Sequence, residues 1–320
     1  MNYEEFASNL PLQNSIEFTS AEESEEALRS MGVEQPVRQI GRGKFRYRLA
    51  ARCTPAADLY TDRFSTAVSM HLEAPTGMIA MLFPRTSSGR FLASGDQVGD
   101  RKMVVIPAGR GTDIVGPDLV GSESIIISQL RFSELRDTVS RTPHPVRSEA
   151  LAIIAGDTSQ LHAMRRRVLM LLAHPEQDPL HENLANLVAI SIDWTVRYSR
   201  GWKPERLRGN AAPAHVARLS RDYIEEYYYQ PIRLEDLCRT AGVSARTLQR
   251  CFHEYFDMTI TNYVKTVRLD TARRQLLVTP PSLMSVAEIA LSHGNAHLGR
   301  FSVNYRERFG ESPKDTLATH

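Results

Sequence analysis

The stretch LEDLCRTAGVSARTLQRCFHEYF, residues 234–256, and the stretch AEIALSHGNAHLGRFSVNYRERF, residues 287–309, are two versions of one pattern. In each stretch an apolar residue precedes a glycine by five positions, and three large apolar residues then follow at intervals of four. A glycine readily takes the positive φ that ends a short helix, and the interval of four predicts a second helix with one buried face. The repeat therefore predicts two helix-turn-helix units.

Residues around the repeat predict where its helices begin and end. Ser244 is a favourable N-cap for the second helix of the first unit. Between the two copies, the apolar spacing over Thr259–Leu277 predicts one long helix, which Pro280 and Pro281 would end. Such a helix can hold the two units at a fixed separation.

The outward faces of the two second helices carry side chains suited to nucleic acid. These residues are Arg246, Gln249, Arg250 and His253 in the first unit, and His297, Arg300 and Asn304 in the second. Arginine, glutamine, asparagine and histidine read base edges in the major groove or hold phosphates. Any one of them alone could be an ordinary solvated residue, but the same polarity in both copies favours DNA contact.

The C-terminal region, about residues 215–318, resembles the DNA-binding domain of the AraC/XylS family of transcription regulators. The matching pieces are GVSARTLQRCF, the helix with Arg268-Leu269 and Ala272, SVAEIALSHG, and GRFSVNYRERFGESP. The resemblance implies a transcription activator that binds double-stranded promoter DNA and has RNA polymerase as a partner. Its two recognition helices would enter successive major grooves, roughly 34 Å apart. One departure is Gly294-Asn295, where the family has Gly-Phe, and it predicts altered packing at the second turn.

Composition predicts a cytoplasmic protein of two domains with no membrane segment. The chain has 320 residues, of which 42% are hydrophobic and 24% charged, and its N-terminus lacks the apolar core of a signal peptide. The three cysteines have no metal-ligand spacing, which indicates thiols in a reducing compartment. We predict an effector-sensing and dimerisation domain over residues 1–200, a linker over 201–213 and the DNA-binding domain over 214–320.

The N-terminal domain is predicted to be β-rich over residues 37–132 and helical over 145–200, which gives an α+β protein. Predicted strands are Phe45–Leu49, Thr66–Leu72, Gly77–Phe83, Met103–Ile106 and Ser124–Phe132, and helical spacing occurs at Leu151–Ala155, Leu161–Leu172 and Asn183–Tyr198. The family resemblance implies a cupin-like β-barrel with flanking helices. The two longer helices are candidates for a homodimer surface, although their apolar residues could equally form core.

A basic stretch suggests an effector for this domain. Arg38-Gln-Ile-Gly-Arg42 has the RxxxR form of PilZ-type cyclic-di-GMP sites, and Lys44, Arg46 and Arg48 continue it. In an extended chain these cations would share one side, where an anionic ligand would relieve their repulsion. Predicted effector-binding residues are Arg38, Arg42, Arg46 and, as an aromatic platform, Trp194. The second sequence element of PilZ sites, an Asp or Asn followed by xSxxG, is matched only loosely by Asp62 with Ser65. A small organic effector in the barrel is therefore an equal alternative.

Two other classes of protein are possible. A cupin-type enzyme would need two histidines and a carboxylate converging on one metal, but His71, His144 and His162 are scattered in sequence. We therefore predict no catalytic residue, no metal and no cofactor. An adaptor that uses its helix-turn-helix units to bind protein is disfavoured by the basic outward faces.

Overall fold

Two β-sheets form most of the N-terminal region in the computed structural model, which describes residues 15–30, 33–86, 89–99, 101–139, 151–178, 181–199 and 213–318. The strands are β1 (Ile16–Phe18), β2 (Val37–Gln39), β3 (Tyr47–Arg52), β4 (Asp58–Phe64), β5 (Val68–Glu73), β6 (Met78–Arg85), β7 (Phe91–Ala93), β8 (Asp96–Val98), β9 (Lys102–Ile106), β10 (Gly111–Gly116), β11 (Gly121–Ser128) and β12 (Ala152–Ala155). The seven-stranded sheet has the order β1-β3-β4-β11-β6-β9-β12, and the five-stranded sheet the order β2-β5-β10-β7-β8. Among the described strands, neither order returns to its first member, so both sheets are open.

The alternation of side chains along the strands builds two layers of core. Tyr47 and Phe64, on adjacent strands, stack with ring centroids 4.2 Å apart and lie in the apolar cluster between the two sheets. The other face of the seven-stranded sheet, including Leu59 and Met81, packs against helices. This two-sided burial explains why β6 reads as an almost continuous apolar run.

Among the described residues, the α-helices of the N-terminal region are α1 (Ala21–Ser30), α2 (Gln129–Val139), α3 (Thr158–Ala173) and α4 (Glu182–Tyr198). The two helices predicted at Leu161–Leu172 and Asn183–Tyr198 are confirmed as α3 and α4. Two predictions are wrong. The strand expected to reach Phe132 ends at Ser128, and Leu151–Ala155 forms β12 rather than a helix, because its apolar residues pair with β9 at the sheet edge.

The C-terminal region is helical throughout its described residues. Its helices are α5 (Pro213–Tyr227), α6 (Leu234–Ala241), α7 (Ala245–Phe256), α8 (Ile260–Val278), α9 (Val286–Ser292), α10 (Leu298–Phe309) and α11 (Pro313–Leu317). The predicted long helix is confirmed as α8, and it ends just before Pro280-Pro281. Its first half contributes Tyr263 and Val267 to the core of the first unit, and its second half contributes Leu269 and Leu276 to the core of the second.

The outer face of the five-stranded sheet packs directly on the first helix-turn-helix unit. Leu92 of β7 and Val115 of β10 are buried in the same apolar cluster as Leu248 and Phe252 of α7. The two regions therefore share a core, which fixes the position of the helices on the sheet. The predicted linker is almost entirely outside the described residues, since the description resumes at Pro213.

Candidate nucleic-acid interface

The first unit has the local geometry that the sequence predicts. Helix α6 ends at Gly242, whose φ of 65° is left-handed, and the Ser244 hydroxyl then caps α7 by accepting a hydrogen bond from the Thr247 amide. Leu248 and Phe252 are fully buried on the inner face of α7. This burial fixes the rotation of the helix, so its opposite face points to solvent.

The predicted base-reading residues of the first unit lie together on that outer face. Arg246, Gln249, Arg250 and His253 are all exposed. Arg250 is held by Glu254 one turn later, with 3.2 Å from its NH1 atom to the carboxylate. An exposed pair of this kind contributes only a few tenths of a kcal/mol, about 0.3–0.5. DNA phosphate or a guanine edge can therefore compete for this guanidinium.

The second unit begins with a capping box in which Ser285 and Glu288 cap the start of α9 reciprocally. Its turn contains Gly294 at φ 74°, and a Cβ there would lie 3.0 Å from the Tyr228 carbonyl oxygen. Backbone angle and close packing both require glycine at this position. Asn295 follows, and its backbone amide donates to the Ala290 carbonyl at 2.9 Å, so the turn closes without the aromatic residue of the family pattern.

The predicted residues of the second unit are positioned less uniformly than those of the first. His297 is the N-cap of α10 and makes no side-chain capping bond, while Arg300 is exposed on the first turn. Asn304 is half-buried, and its Oδ1 atom accepts a hydrogen bond of 2.6 Å from the Lys265 ammonium of α8. Lys265 could not be identified from the sequence, because its role depends on a contact 39 residues away along the chain.

A cleft of about 780 Å³ lies between the first unit and α8 and reaches the turn of the second unit. Its lining includes Gln249 and His253 of α7, Lys265 and Arg268 of α8, and Asn295. The Arg268 guanidinium also donates to the Tyr228 and Gln230 carbonyl oxygens, at 2.8 Å each, which ties α8 to the end of α5. The groove therefore lies between α7, the first half of α8 and the turn that precedes α10.

A polar cluster around Asp113 connects the five-stranded sheet to the first unit. The Asp113 carboxylate accepts hydrogen bonds from Arg221 at 2.9 Å and from the Tyr255 hydroxyl at 2.7 Å, and His71 Nδ1 lies 2.8 Å away. Burial alone would raise the pKa of Asp113, but the bonds from His71 and Tyr255 and the charge of Arg221 lower it to about 2. This cluster could not be predicted from the sequence, because its members are far apart in the chain.

The basic stretch does not form one extended strand, so that part of the effector prediction is wrong. Arg38 lies in β2 and Arg48 in β3, which belong to different sheets, and residues 40–46 between them turn through Gly43 at φ 94°. Arg38 faces the C-terminal region, where its guanidinium pairs with Glu225 at 2.7 Å and Asp270 at 2.9 Å. The basic side chains are separated because the chain leaves one sheet and enters the other between Arg38 and Arg48. Gly41 and Gly43 permit this turn, Gly41 by its close packing and Gly43 by its positive φ.

The other predicted effector residues lie at separate places. The Arg42 side chain is 79% exposed and lies 3.5 Å from the Glu307 carboxylate of α10. Arg46 is exposed and lies 3.7 Å from Glu17. Trp194 is 1% exposed inside the apolar cluster of α3, α4 and the seven-stranded sheet, so its ring is packed as core.

The residues considered for an enzyme do not converge in the described part of the chain. His71 bonds Asp113 at the contact between the regions, and His144 lies outside the described residues. Within the described ranges, no group of three or more His, Cys, Asp or Glu side chains could hold a metal ion. Over the same ranges, none of the helices is both long enough and apolar enough to cross a lipid bilayer.

The C-terminal region of the chain is similar to known proteins. Residues 237–319 match a family described as a helix-turn-helix domain. The "Probable thc operon regulatory protein" of Rhodococcus erythropolis is 33% identical over 172 residues, which are 53% of this chain and 48% of that protein. The "XylDLEGF operon transcriptional activator 2" of Pseudomonas putida is 39% identical over 98 residues, which are 31% of this chain and 62% of that protein. The chain thus spans about half of the first relative and less than two thirds of the second.

A solved structure is similar to about a third of the chain. It is described as a probable AraC family transcriptional regulator from Rhodopseudomonas palustris CGA009 and is 34% identical. The match covers 32% of this chain and 95% of that chain, with a TM-score of 0.31.

Proposed function

We propose that this chain, whose C-terminal region belongs to the AraC/XylS family, is a transcription regulator that binds double-stranded promoter DNA in a sequence-specific manner. The observation that carries the proposal is the pair of recognition helices α7 and α10, joined by α8, each with a buried apolar inner face and with exposed Arg250 or Arg300 on its outer face. Each helix can enter a major groove, because its inner face is fixed by its own apolar core.

The residue roles follow from side-chain chemistry. Arg246, Gln249 and Arg250 of the first unit and His297, Arg300 and Asn304 of the second are assigned to base edges, and His253 to the flanking backbone. Arginine recognises guanine with two hydrogen bonds, and glutamine or asparagine recognises adenine in the same way.

The test of DNA binding uses one arginine from each unit. Arg250→Ala and Arg300→Ala should each weaken binding to a preferred duplex, selected from random sequences, by about 1–3 kcal/mol. Arg131→Ala is the matched control, because Arg131 is an exposed arginine of α2 that is paired with Glu134 at 3.6 Å. The measurement is fluorescence anisotropy over a series of salt concentrations, in which wild-type affinity should fall steeply. Wild-type affinity in both arginine variants would contradict the face assignment, and a flat salt dependence would contradict DNA binding itself.

Assembly as a homodimer is part of the proposal. It is supported by α4, whose outer face exposes Ile190 at 39% while its inner face is buried. Ile190→Asp should shift the full chain from dimer to monomer in sedimentation velocity, whereas Leu283→Asp, which changes an exposed leucine of the C-terminal region, should not. A wild-type chain that is monomeric at every concentration would contradict the dimer.

We also propose that the protein is a cytoplasmic activator that acts with RNA polymerase, and that a small effector bound to the N-terminal region controls it. We propose a cupin-like arrangement of the two sheets, which is supported by the apolar cluster that both sheets share.

Cyclic-di-GMP is the first candidate effector, and the exposed positions of Arg42 and Arg46 support it. Calorimetric titration of cyclic-di-GMP into wild type, Arg42→Ala and Arg46→Ala tests it, and absence of heat with wild type would leave the small organic effector in the barrel.

A further inference from the structure

Helix α10 carries an apolar residue at the centre of its outer face. Val303 lies two residues after Phe301 and two before Tyr305, and both aromatic rings are buried in the core of the second unit. Each residue turns a helix by about 100°, so a side chain midway between these two lies on the opposite side of the helix. Val303 is accordingly 58% exposed. The outer face of α10 is therefore centred on a valine that the core does not use.

The first unit has an arginine at the equivalent position. Arg250 lies midway between Leu248 and Phe252, which are buried in the core of that unit. It is exposed at the centre of the outer face of α7, and it is assigned above to a base edge. Val303 is therefore the counterpart, in the repeat, of a residue with a base-reading role.

A glycine lies one turn before Val303, where the first unit has Arg246. Gly299 is exposed, its φ is not left-handed, and a Cβ there would meet no other part of the described chain within 4 Å. The fold therefore does not require glycine at this position, although glycine is less favourable in a helix than any residue except proline. The glycine is explained if a partner approaches the backbone of α10 closely.

The chemistry of this surface fits one base. Valine has no hydrogen-bonding group in its side chain, so it can recognise only an apolar group on a base edge. In the major groove the C5-methyl group of thymine is such a group, and the other three bases lack it. The valine side chain is short, and Gly299 lets the helix lie deep enough in the groove for Val303 to reach that methyl group.

We propose that Val303, with the space left by Gly299, reads the methyl group of one thymine in the major groove that α10 enters. The inference rests on the proposed function, because it requires α10 to bind DNA. Arginine at the same position of the first unit favours guanine, so the two units of the repeat read different bases from equivalent positions.

The experiment replaces each thymine of the selected duplex by uracil, one at a time, which removes the methyl group and keeps the hydrogen-bonding edge. Fluorescence anisotropy measures the affinity of the full chain for each duplex. At one thymine, uracil should weaken wild-type binding about 4-fold, the effect of exposing one buried methyl group. At the same position, 5-methylcytosine should bind better than cytosine, because this pair also differs only in the methyl group.

The variants assign this effect to the valine and the glycine. Val303→Ala should reduce the difference between thymine and uracil at that position to less than about two-fold. Val303→Arg should shift the preferred base there from thymine to guanine, because it has the chemistry of Arg250. Gly299→Ala should bind the selected duplex more weakly while its Tm is unchanged or raised, since alanine favours a helix. Leu291→Ala, which changes an exposed leucine of α9, is the matched control and should discriminate as wild type does.

Both substituted positions are exposed, so the variants should fold, and a thermal melt of each one checks this. A uracil effect at no thymine, or one that is as large in Val303→Ala as in wild type, overturns the thymine contact. Wild-type affinity in Gly299→Ala overturns the close approach of α10. A wild-type chain that binds no duplex in a salt-dependent way overturns the proposed function instead.

Discussion

The first helix-turn-helix unit shares its apolar core with the N-terminal sheets, whereas the second unit encloses a core of its own. Leu92 and Val115 complete the first core, and Asp113 adds hydrogen bonds to α5 and α7. The second unit is held to the N-terminal region by polar contacts instead. Some are side-chain ion pairs, such as Arg38 with Asp270 at 2.9 Å and Arg274 with Glu25 at 2.8 Å, and others are hydrogen bonds to its backbone. Gln39 Nε2 donates to the Arg308 carbonyl oxygen at 2.5 Å, and the Gly43 amide donates to that of Glu307 at 2.9 Å.

This difference indicates an order of release. Burial of a leucine contributes several times more free energy than a neutral hydrogen bond, which contributes about 1 kcal/mol net. We therefore expect the second unit to separate from the N-terminal region at a lower cost than the first. Substitutions at the contacts of each unit test this difference, beginning with the largest expected loss of stability.

Leu92→Ala should lower the free energy of unfolding by about 2–5 kcal/mol, because it leaves a cavity in the core that both regions share. Urea denaturation of the full chain measures this loss. Leu291→Ala, at a position that is 54% exposed in the second unit, is the control and should change stability by less than about 0.5 kcal/mol. A loss at Leu92 below about 1 kcal/mol would show that the first unit does not depend on the sheet.

Asp113→Asn should cost about 2 kcal/mol at pH 5, because the pKa of this buried carboxyl falls from 3.8 to about 2 on folding. A lowered pKa stabilises the folded chain above the unfolded value, and this contribution is lost as the pH falls from about 4 through 2. The difference between wild type and variant should therefore shrink over that window, as measured by urea denaturation at several pH values. Asp222→Asn removes the exposed partner of the same Arg221 and should show little effect. A difference for Asp113→Asn that is independent of pH would contradict the charged role.

Gln39→Ala should cost about 1–3 kcal/mol, because it removes the hydrogen bonds to the Arg308 and Gly43 carbonyl oxygens and leaves a buried acceptor unpaired. In hydrogen exchange, the neighbouring Gly43 amide should lose protection in this variant, because its acceptor lies one residue away on the same helix end. Urea denaturation and exchange together measure the two effects. If the cost equals that of Leu92→Ala, the proposed order of release is wrong.

Glu254→Gln should tighten DNA binding about two-fold, since it releases Arg250 from a weak exposed ion pair. Glu235→Gln is the control, because it removes an exposed acid of α6 without freeing an arginine. Fluorescence anisotropy with the selected duplex measures both variants. Equal effects would indicate a general change in charge rather than the release of Arg250.

Most of the features that could be predicted from the sequence depend on residues that are close together in the chain. Gly242, Ser244 and the prolines after α8 act on neighbouring residues, so their effects could be inferred and agree with the structure. The two open sheets were anticipated only in part. Asp58–Phe64 carries charged residues that mask its alternation, and the apolar residues of β12 fit a helix and a strand equally well.

Contacts between the two regions could not be read from the sequence. Arg38 joined the basic stretch in the sequence analysis because its neighbours are cationic, yet its partners Glu225 and Asp270 lie about 190 and 230 residues further along the chain. Lys265 and Asp113 were missed for the same reason. The outer faces of α7 and α10 could be assigned because the opposite face of each helix is apolar, which is a periodic signal.

Helix α8 has a consequence for the operator that the proposed DNA binding implies. Its 19 residues span about 28 Å and join both cores, so insertion of one residue would rotate one unit by about 100° relative to the other. DNA has a matching constraint, because each added base pair turns the duplex by about 35°. Five extra base pairs between the two contact sites would put them on opposite faces, and ten would restore the face but exceed the length of the helix. The two contact sites must therefore keep one helical phase and form a single operator element without a variable spacer.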